Sequence, residues 1–266
     1  MKKITRIKKR FGQHFLTNPA IVKNIIEAAK LSKEDHVIEV GPGEGVLTEP
    51  MLNRELDLTV VEVDRDLSAR LVQRWADKKN LKIVCGDILK LDWEELIDQN
   101  KENQIISNLA YNISTPFFFK LLTYRKRFKS ITLMLQKEVA QRLCHQGEGK
   151  DLKNYGILSI IAANCFFVSQ VLDVAPDEFY PPPKVHSSVI RLIPNGKSIP
   201  RETEFFTFVK NIFNHRRQKL TKHLIKINPE LYQRLSLSDQ KKLEPLRPEN
   251  LTPRQYFSLY FHAKVE

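Results

Sequence analysis

Asn108-Leu109-Ala110-Tyr111 sets an amide, two small or apolar residues and an aromatic ring directly after the apolar run Ile105-Ile106-Ser107. At the end of a strand, such a segment reads as a clamp for a planar nitrogen. The Asn108 side-chain oxygen and a backbone carbonyl from Leu109 or Ala110 each accept a hydrogen bond from an exocyclic NH2 group, and Tyr111 stacks on the ring that carries it. Any strand can end in Asn followed by apolar residues. The weight of the reading therefore comes from what precedes it in the chain.

Three earlier strand ends also carry chemistry. Gly41-Pro42-Gly43-Glu44-Gly45 is a glycine-rich turn in which missing side chains let a ligand approach the backbone. Its G-x-G-x-G spacing differs from the G-x-G-x-x-G of dinucleotide binders, and no G-K-[ST] follows, which argues against NAD and ATP. Glu62 stands about twenty residues further on, where an acid takes both ribose hydroxyls of a nucleoside. Cys85-Gly86-Asp87 then places a carboxylate that accepts from an adenine amino group. Single features of this kind are common. In register on one sheet edge they predict a nucleoside cofactor beside the Asn108 clamp.

The elements that must hold these residues follow from periodicity. Strands are predicted at 37–40, 59–63, 82–85, 104–107, 131–135, 166–172 and 188–192, with helical patterns such as Leu67, Leu71 and Trp75 between them. Strand, helix, strand in this rhythm predicts an α/β domain with a doubly wound, mostly parallel sheet of seven strands. Asn18-Pro19 starts a helix whose apolar face is Ile21, Val22, Ile25, Ile26 and Ala29. Gln136 to Arg142 reads as a helix leaving the fifth strand, and Gln146 to Asp151 as a flexible loop. Pro181-Pro182-Pro183 forms a rigid corner before the last strand. Phe117 is read either as a second stacking face for the base or as core.

Polar residues 194–201 form a linker, after which the strand rhythm stops. Phe205, Phe208, Val209, Ile212, Leu220 and Leu224 mark helical faces, and Thr252-Pro253 begins a last helix. A small all-α C-terminal domain is predicted over 202–266, after a main domain over 17–193 and an arm and lid over 1–16. Arg216, Arg217, Lys219 and Lys222 form the densest cationic cluster of the helical part, read as phosphate contacts.

A chain of 266 residues with 42% hydrophobic composition fills a core, and its net charge of +12 calls for a polyanionic partner such as nucleic acid. The first ten residues, with six cations, are expected to order only on a phosphate backbone. Phe11 to Leu16 are expected to fold back over the domain as a lid. His14 lacks a partner carboxylate that would make it a base. Cys85, Cys144 and Cys165 have no zinc or disulfide spacing, so no metal is expected and a reducing cytoplasm fits. No run spans a bilayer, and no membrane association is expected.

Phe11-Gly12-Gln13-His14-Phe15-Leu16, Glu39-Val40-Gly41-Pro42-Gly43-Glu44-Gly45, Val61-Glu62-Val63-Asp64, Asn108-Leu109-Ala110-Tyr111-Asn112-Ile113-Ser114 and Pro181-Pro182-Pro183-Lys184-Val185 together resemble the KsgA-type ribosomal RNA small-subunit adenine dimethylases. The resemblance implies a Rossmann-like class I methyltransferase using S-adenosyl-L-methionine. Its implied target is two adjacent adenosines near the 3′ end of 16S ribosomal RNA, dimethylated at N6, with the small ribosomal subunit as partner. It assigns cofactor contacts to His14, Leu16, Gly41, Glu62, Asp87 and Asn108, and the target base to Asn108, the Leu109 carbonyl and Tyr111. Two departures stand out: Ala110 where the family usually has proline, which removes backbone rigidity, and His14 where it often has asparagine. Nothing resembles a dimerisation helix, so a monomer is expected. The rival readings are the large-subunit dimethylase of the macrolide-resistance type and a non-catalytic ribosome-assembly factor on the same fold.

Overall fold

The structure, a computed structural model, describes residues 13–149 and 152–264. The basic arm, Phe11-Gly12 of the expected lid and Lys150-Asp151 of the expected loop lie outside the described residues.

Short strand β1 (Phe15–Leu16) leads into helix α1 (Pro19–Ala29). The Asn18 side chain accepts from the Ala20 N–H at 2.8 Å, and Pro19 sits in the first turn, where no N–H is needed. Val22, Ile25, Ile26 and Ala29 are buried, the face that the spacing predicts. Next come β2 (His36–Val40), α2 (Thr48–Leu52), β3 (Asp57–Glu62), α3 (Arg65–Arg74), β4 (Leu81–Cys85), β5 (Asn103–Asn108), α4 (Ser114–Tyr124), β6 (Phe128–Gln136), α5 (Lys137–Cys144), α6 (Ile157–Cys165), β7 (Phe166–Val174), β8 (Phe179–Tyr180) and β9 (Ser187–Pro194).

All seven predicted strands enter one sheet, in the order β4-β3-β2-β5-β6-β9-β7. β2 pairs in parallel with β3 and β5, β3 with β4, and β5 with β6, whereas β9 runs antiparallel to β6. From β2 the chain winds outward to β4, then returns to the other side of β2 with β5. The carboxyl ends of β2 and β5 therefore flank the point where the winding reverses, the place where an open α/β sheet leaves a crevice. Gly41 and Asn108 sit at those two ends. Below them Val37, Leu58, Ile106, Met134 and Val189 form one buried face with Ile25, Met51 and Leu71. Each such side chain contributes about 1.5–3 kcal/mol by leaving water. A second, two-stranded sheet that the sequence pattern does not reveal pairs β1 with β8 antiparallel, Phe15 opposite Tyr180 and Leu16 opposite Phe179.

The residues cluster as two compact units: those up to Ala140 with Ser169–Pro194, and Gln141–Val168 with the residues from Asn195 onward. The second unit thus takes in a segment that the sequence pattern assigns to the first domain. The reason is packing, since α6 meets α7 (Glu202–Phe213) and α11 (Pro253–His262). Between those two helices run α8 (Leu220–Ile227), α9 (Pro229–Arg234) and α10 (Leu237–Leu243), so the region after 201 is helical as predicted. Buried Phe205, Val209, Ile212, Leu224 and Leu259 form its interior, and the hydroxyls of Tyr155 and Tyr256 donate to the Leu251 and Pro248 carbonyls at 2.5 and 2.8 Å. No helix among the described residues is long and apolar enough to cross a membrane.

Candidate active site

The strand ends of the first unit converge on one cavity of about 260 Å³, lined by His14, Leu16, Gly41, Glu62, Asp87, Asn108, Leu109 and Tyr111 among others. Every predicted cofactor and base residue is therefore in one place. Gly41, Gly43 and Gly45 all have φ between 60° and 80°. Two of them are also pinned by packing: a Cβ on Gly45 would lie 2.2 Å from the Trp75 ring, and one on Gly43 would lie 2.9 Å from the Phe15 ring. The described part of the expected lid, with Leu16 buried, thus packs directly on the glycine turn.

Glu62 ends β3 almost fully buried, with one oxygen accepting from the Gly43 N–H at 3.1 Å and the other from the Asp64 N–H at 2.8 Å. A carboxylate offers about four lone-pair sites, so two remain for a pair of hydroxyls. Burial raises its pKa, opposed by those N–H donors. Glu39 is not among the predicted site residues, yet it lines the same cavity and accepts from the Thr48 hydroxyl at 2.6 Å. Burial pushes its carboxyl up to about 8; the Thr48 hydroxyl opposes this and neighbouring Glu62 adds to it. Asp87 accepts from the Leu89 N–H with one oxygen, at 2.9 Å. Among the described residues none of these three acids forms a salt bridge. The glycine backbone, the spare acceptors of Glu62 and the second oxygen of Asp87 fit the hydroxyl and amino donors of a nucleoside.

At the rim, the Asn108 Nδ2 donates to the His14 carbonyl at 3.1 Å, which turns the amide so that Oδ1 is left as an acceptor. The Ala110 carbonyl is taken by the Ile113 N–H at 3.1 Å, whereas the Leu109 carbonyl accepts no hydrogen bond among the described residues. Of the two carbonyls left open by the sequence, Leu109 is the available one. Ala110 has φ −57° and ψ 133°, the φ that proline imposes. The backbone shape of the clamp is therefore present without proline. Tyr111 is half-buried; its hydroxyl shares a 2.7 Å hydrogen bond with Ser187, and burial raises its pKa. The His14 ring stacks on Tyr111 with centroids 5.6 Å apart, and its Nδ1 donates to the Pro181 carbonyl at 2.7 Å. Ser187 reaches Tyr111 across 76 residues, a contact with no local sequence signal. Phe117 is fully buried against Trp93, ring centroids 5.3 Å apart, and is a core residue rather than a stacking face for a base.

In the second unit the predicted cationic cluster divides. Arg217, Lys219 and Lys222 are exposed, with no ion pair among the described residues. Arg216 instead turns inward: its Nε meets Glu249 at 2.5 Å and its terminal nitrogens donate to the Leu152 and Lys153 carbonyls at 2.5 and 3.3 Å. It braces the unit, with its guanidinium nitrogens engaged by Glu249 and two backbone carbonyls, unlike the other three cations of the expected cluster.

The sequence profile of ribosomal RNA adenine dimethylases matches residues 4–261 of this chain. The chain belongs to that family. This dimethylase is 44% identical over 222 residues to the ribosomal RNA small subunit methyltransferase A of Syntrophotalea carbinolica, a match covering 82% of each chain. A solved dimethyladenosine transferase from Plasmodium falciparum superposes with a TM-score of 0.78 at 26% identity, covering 94% of this chain and 97% of that one. The 23S rRNA methyltransferase ErmE has the same fold, with a TM-score of 0.67 at 21% identity over 92% of this chain and 98% of its own. As a ribosomal RNA adenine dimethylase, the protein is an S-adenosylmethionine-dependent methyltransferase with the Rossmann-like class I fold that the motifs implied.

Proposed function

We propose that this dimethylase transfers methyl groups to N6 of two adjacent adenosines near the 3′ end of 16S ribosomal RNA, acting in the cytoplasm as a monomer on the small ribosomal subunit. The observation that carries the reading is the Asn108 rim: an amide oriented by the His14 carbonyl, beside an unused Leu109 carbonyl, on the edge of a carboxylate-lined cavity. The name of the small-subunit relative, at 44% identity, supports the choice of RNA.

Bound S-adenosylmethionine would supply an electrophilic methyl group on a sulfonium. Glu62 would hold the ribose, Asp87 the adenine amino group, and Gly41 with the backbone around it the methionine portion, with His14 and Leu16 closing over them. The adenine N6 of the RNA is a weak nucleophile because its lone pair is delocalised into the ring. Asn108 Oδ1 and the Leu109 carbonyl, as two acceptors in a water-poor pocket, favour a pyramidal amine with its lone pair turned toward the cofactor side. No general base is required, since a methylated cationic amine loses its proton readily. Tyr111 replaces the stacking that the base loses on leaving its helix, and its hydroxyl bond to Ser187 holds the ring in place. Arg217, Lys219 and Lys222 provide phosphate contacts.

Tritiated methyl incorporation tests the substrate assignment. Small subunits lacking the modification should be labelled, and large-subunit RNA should not. Labelling of large-subunit RNA instead moves the enzyme to the macrolide-resistance type, and no labelling of either makes it a non-catalytic factor.

A further inference from the structure

The segment that carries Asp87 is tied to α4, the helix that follows the base clamp, through Lys120. Lys120 of that helix bonds to it directly, and Phe117 and Tyr124 pack on Trp93, which bonds to it in turn. The Lys120 ammonium donates to the Leu89 carbonyl at 2.9 Å and to the Leu91 carbonyl at 2.5 Å. Its Nζ also lies 5.7 Å from the centre of the Trp93 ring. The indole N–H of Trp93 donates to the Ile88 carbonyl at 2.9 Å, and its ring packs on Phe117 and Tyr124 with both centroid distances 5.3 Å. The carbonyls of residues 88, 89 and 91 are thereby all turned toward donors, two of them toward a single ammonium.

That arrangement bears on Asp87. Its own carbonyl accepts from the Lys90 and Leu91 N–H groups at 2.8 and 3.0 Å, and one carboxylate oxygen accepts from the Leu89 N–H. The turn is fixed from within by these bonds and from outside by Lys120. The partly buried Lys120 thus spends two of its three donors on backbone carbonyls and forms no salt bridge among the described residues, with Asp87 and Asp92 near enough to act on its charge. We propose that Lys120 is a positioning residue for cofactor recognition. It sets the 87–91 turn so that the second oxygen of Asp87 faces the cavity in the place of an adenine amino group. In doing so it joins the adenine end of the cofactor site to the helix that follows the target-base clamp.

The proposal rests on the reading of Asp87 as the acceptor for the cofactor's amino group, and the test separates the two. Binding of S-adenosylhomocysteine is compared by calorimetry with that of its analogue bearing hydrogen in place of the 6-amino group. The wild type should prefer the amino compound by about tenfold or more, the order expected for one charge-assisted hydrogen bond. Lys120→Met should weaken binding of the amino compound about tenfold while leaving the analogue nearly unchanged, so that the preference collapses. Combined with Asp87→Asn it should add little, because both changes remove the same interaction. Lys120→Gln, which keeps one neutral donor, should retain part of the preference and serves if the methionine variant does not fold. A wild-type preference that survives intact in either Lys120 variant overturns the proposal, whatever the change in melting temperature. Equal binding of the two compounds by the wild type removes the Asp87 reading, and the proposal with it.

Discussion

Asn108 does two things with one amide: its nitrogen is spent on the His14 carbonyl, and its oxygen is thereby left for a ligand. Ala110 in the clamp has φ of −57°, the value that a proline imposes. Ala110→Pro should therefore be tolerated, holding stability or raising it by up to about 1 kcal/mol through the unfolded state, as read by chemical denaturation. A clear loss would mean that the clamp needs a freedom that proline removes. Glu39 gives a second expectation at this scale. Its folded pKa of about 8 lies above the ordinary 4.5, so between those values the folded protein holds more protons than the unfolded chain. Stability conferred by the neutral carboxyl is then lost as pH rises, at up to about 1.4 kcal/mol per pH unit. The unfolding free energy of the wild type relative to Glu39→Gln should fall between about pH 5 and pH 8. A difference flat in pH would mean that the carboxyl is ionised throughout. Of the site residues, Glu62, Asp87 and Asn108 are legible in the sequence because each ends or follows a strand where a side chain must meet a ligand. Glu39 is not, since an acid inside an apolar strand has no distinguishing spacing, and Ser187 has only a distant partner.

The glycine turn, β1 and the carboxyl ends of β2, β3 and β5 are among the elements that line the cavity. Gly45→Ala would set a Cβ into the Trp75 ring at a φ of 80°, so the turn must shift. We expect a loss of about 2 kcal/mol or more in denaturant unfolding together with weaker cofactor binding; an unperturbed variant would show that the turn yields freely. The seven strands are legible from apolar runs at regular intervals. The two-residue strands β1 and β8 are not, because so short a pairing leaves no periodicity and depends on partners far along the chain, Tyr180 for Phe15 and Phe179 for Leu16. The helical segment before β7 escapes its proper unit for a related reason: sequence order places it beside the sheet, and only its packing on α7 and α11 reveals its membership. In the sequence Arg216 looks like any other cation in its cluster. Arg216→Gln should cost about 1–2 kcal/mol by releasing Glu249 and two carbonyls, whereas Lys222→Gln should change stability by less than about 0.5 kcal/mol. Equal effects in urea unfolding would return Arg216 to the surface set.

Over the whole molecule, a net charge of +12 gathers polyanions, and Arg217, Lys219 and Lys222 are exposed cations of the second unit that can meet them. Replacing Arg217, Lys219 and Lys222 with glutamine should weaken RNA binding and reduce the salt slope of log affinity by about 2–3, close to one for each phosphate no longer neutralised. An unchanged slope would take these residues out of the interface. The central claim is narrower: the rim residue Asn108 holds the amine that receives the methyl group. Single-turnover methylation of unmodified small subunits by Asn108→Ala, with RNA affinity measured in parallel, tests it most directly. The account predicts a rate at least about a hundredfold below the wild type with affinity nearly intact, as befits a group whose hydrogen bond matters most in the transition state. Methylation at the wild-type rate would contradict it.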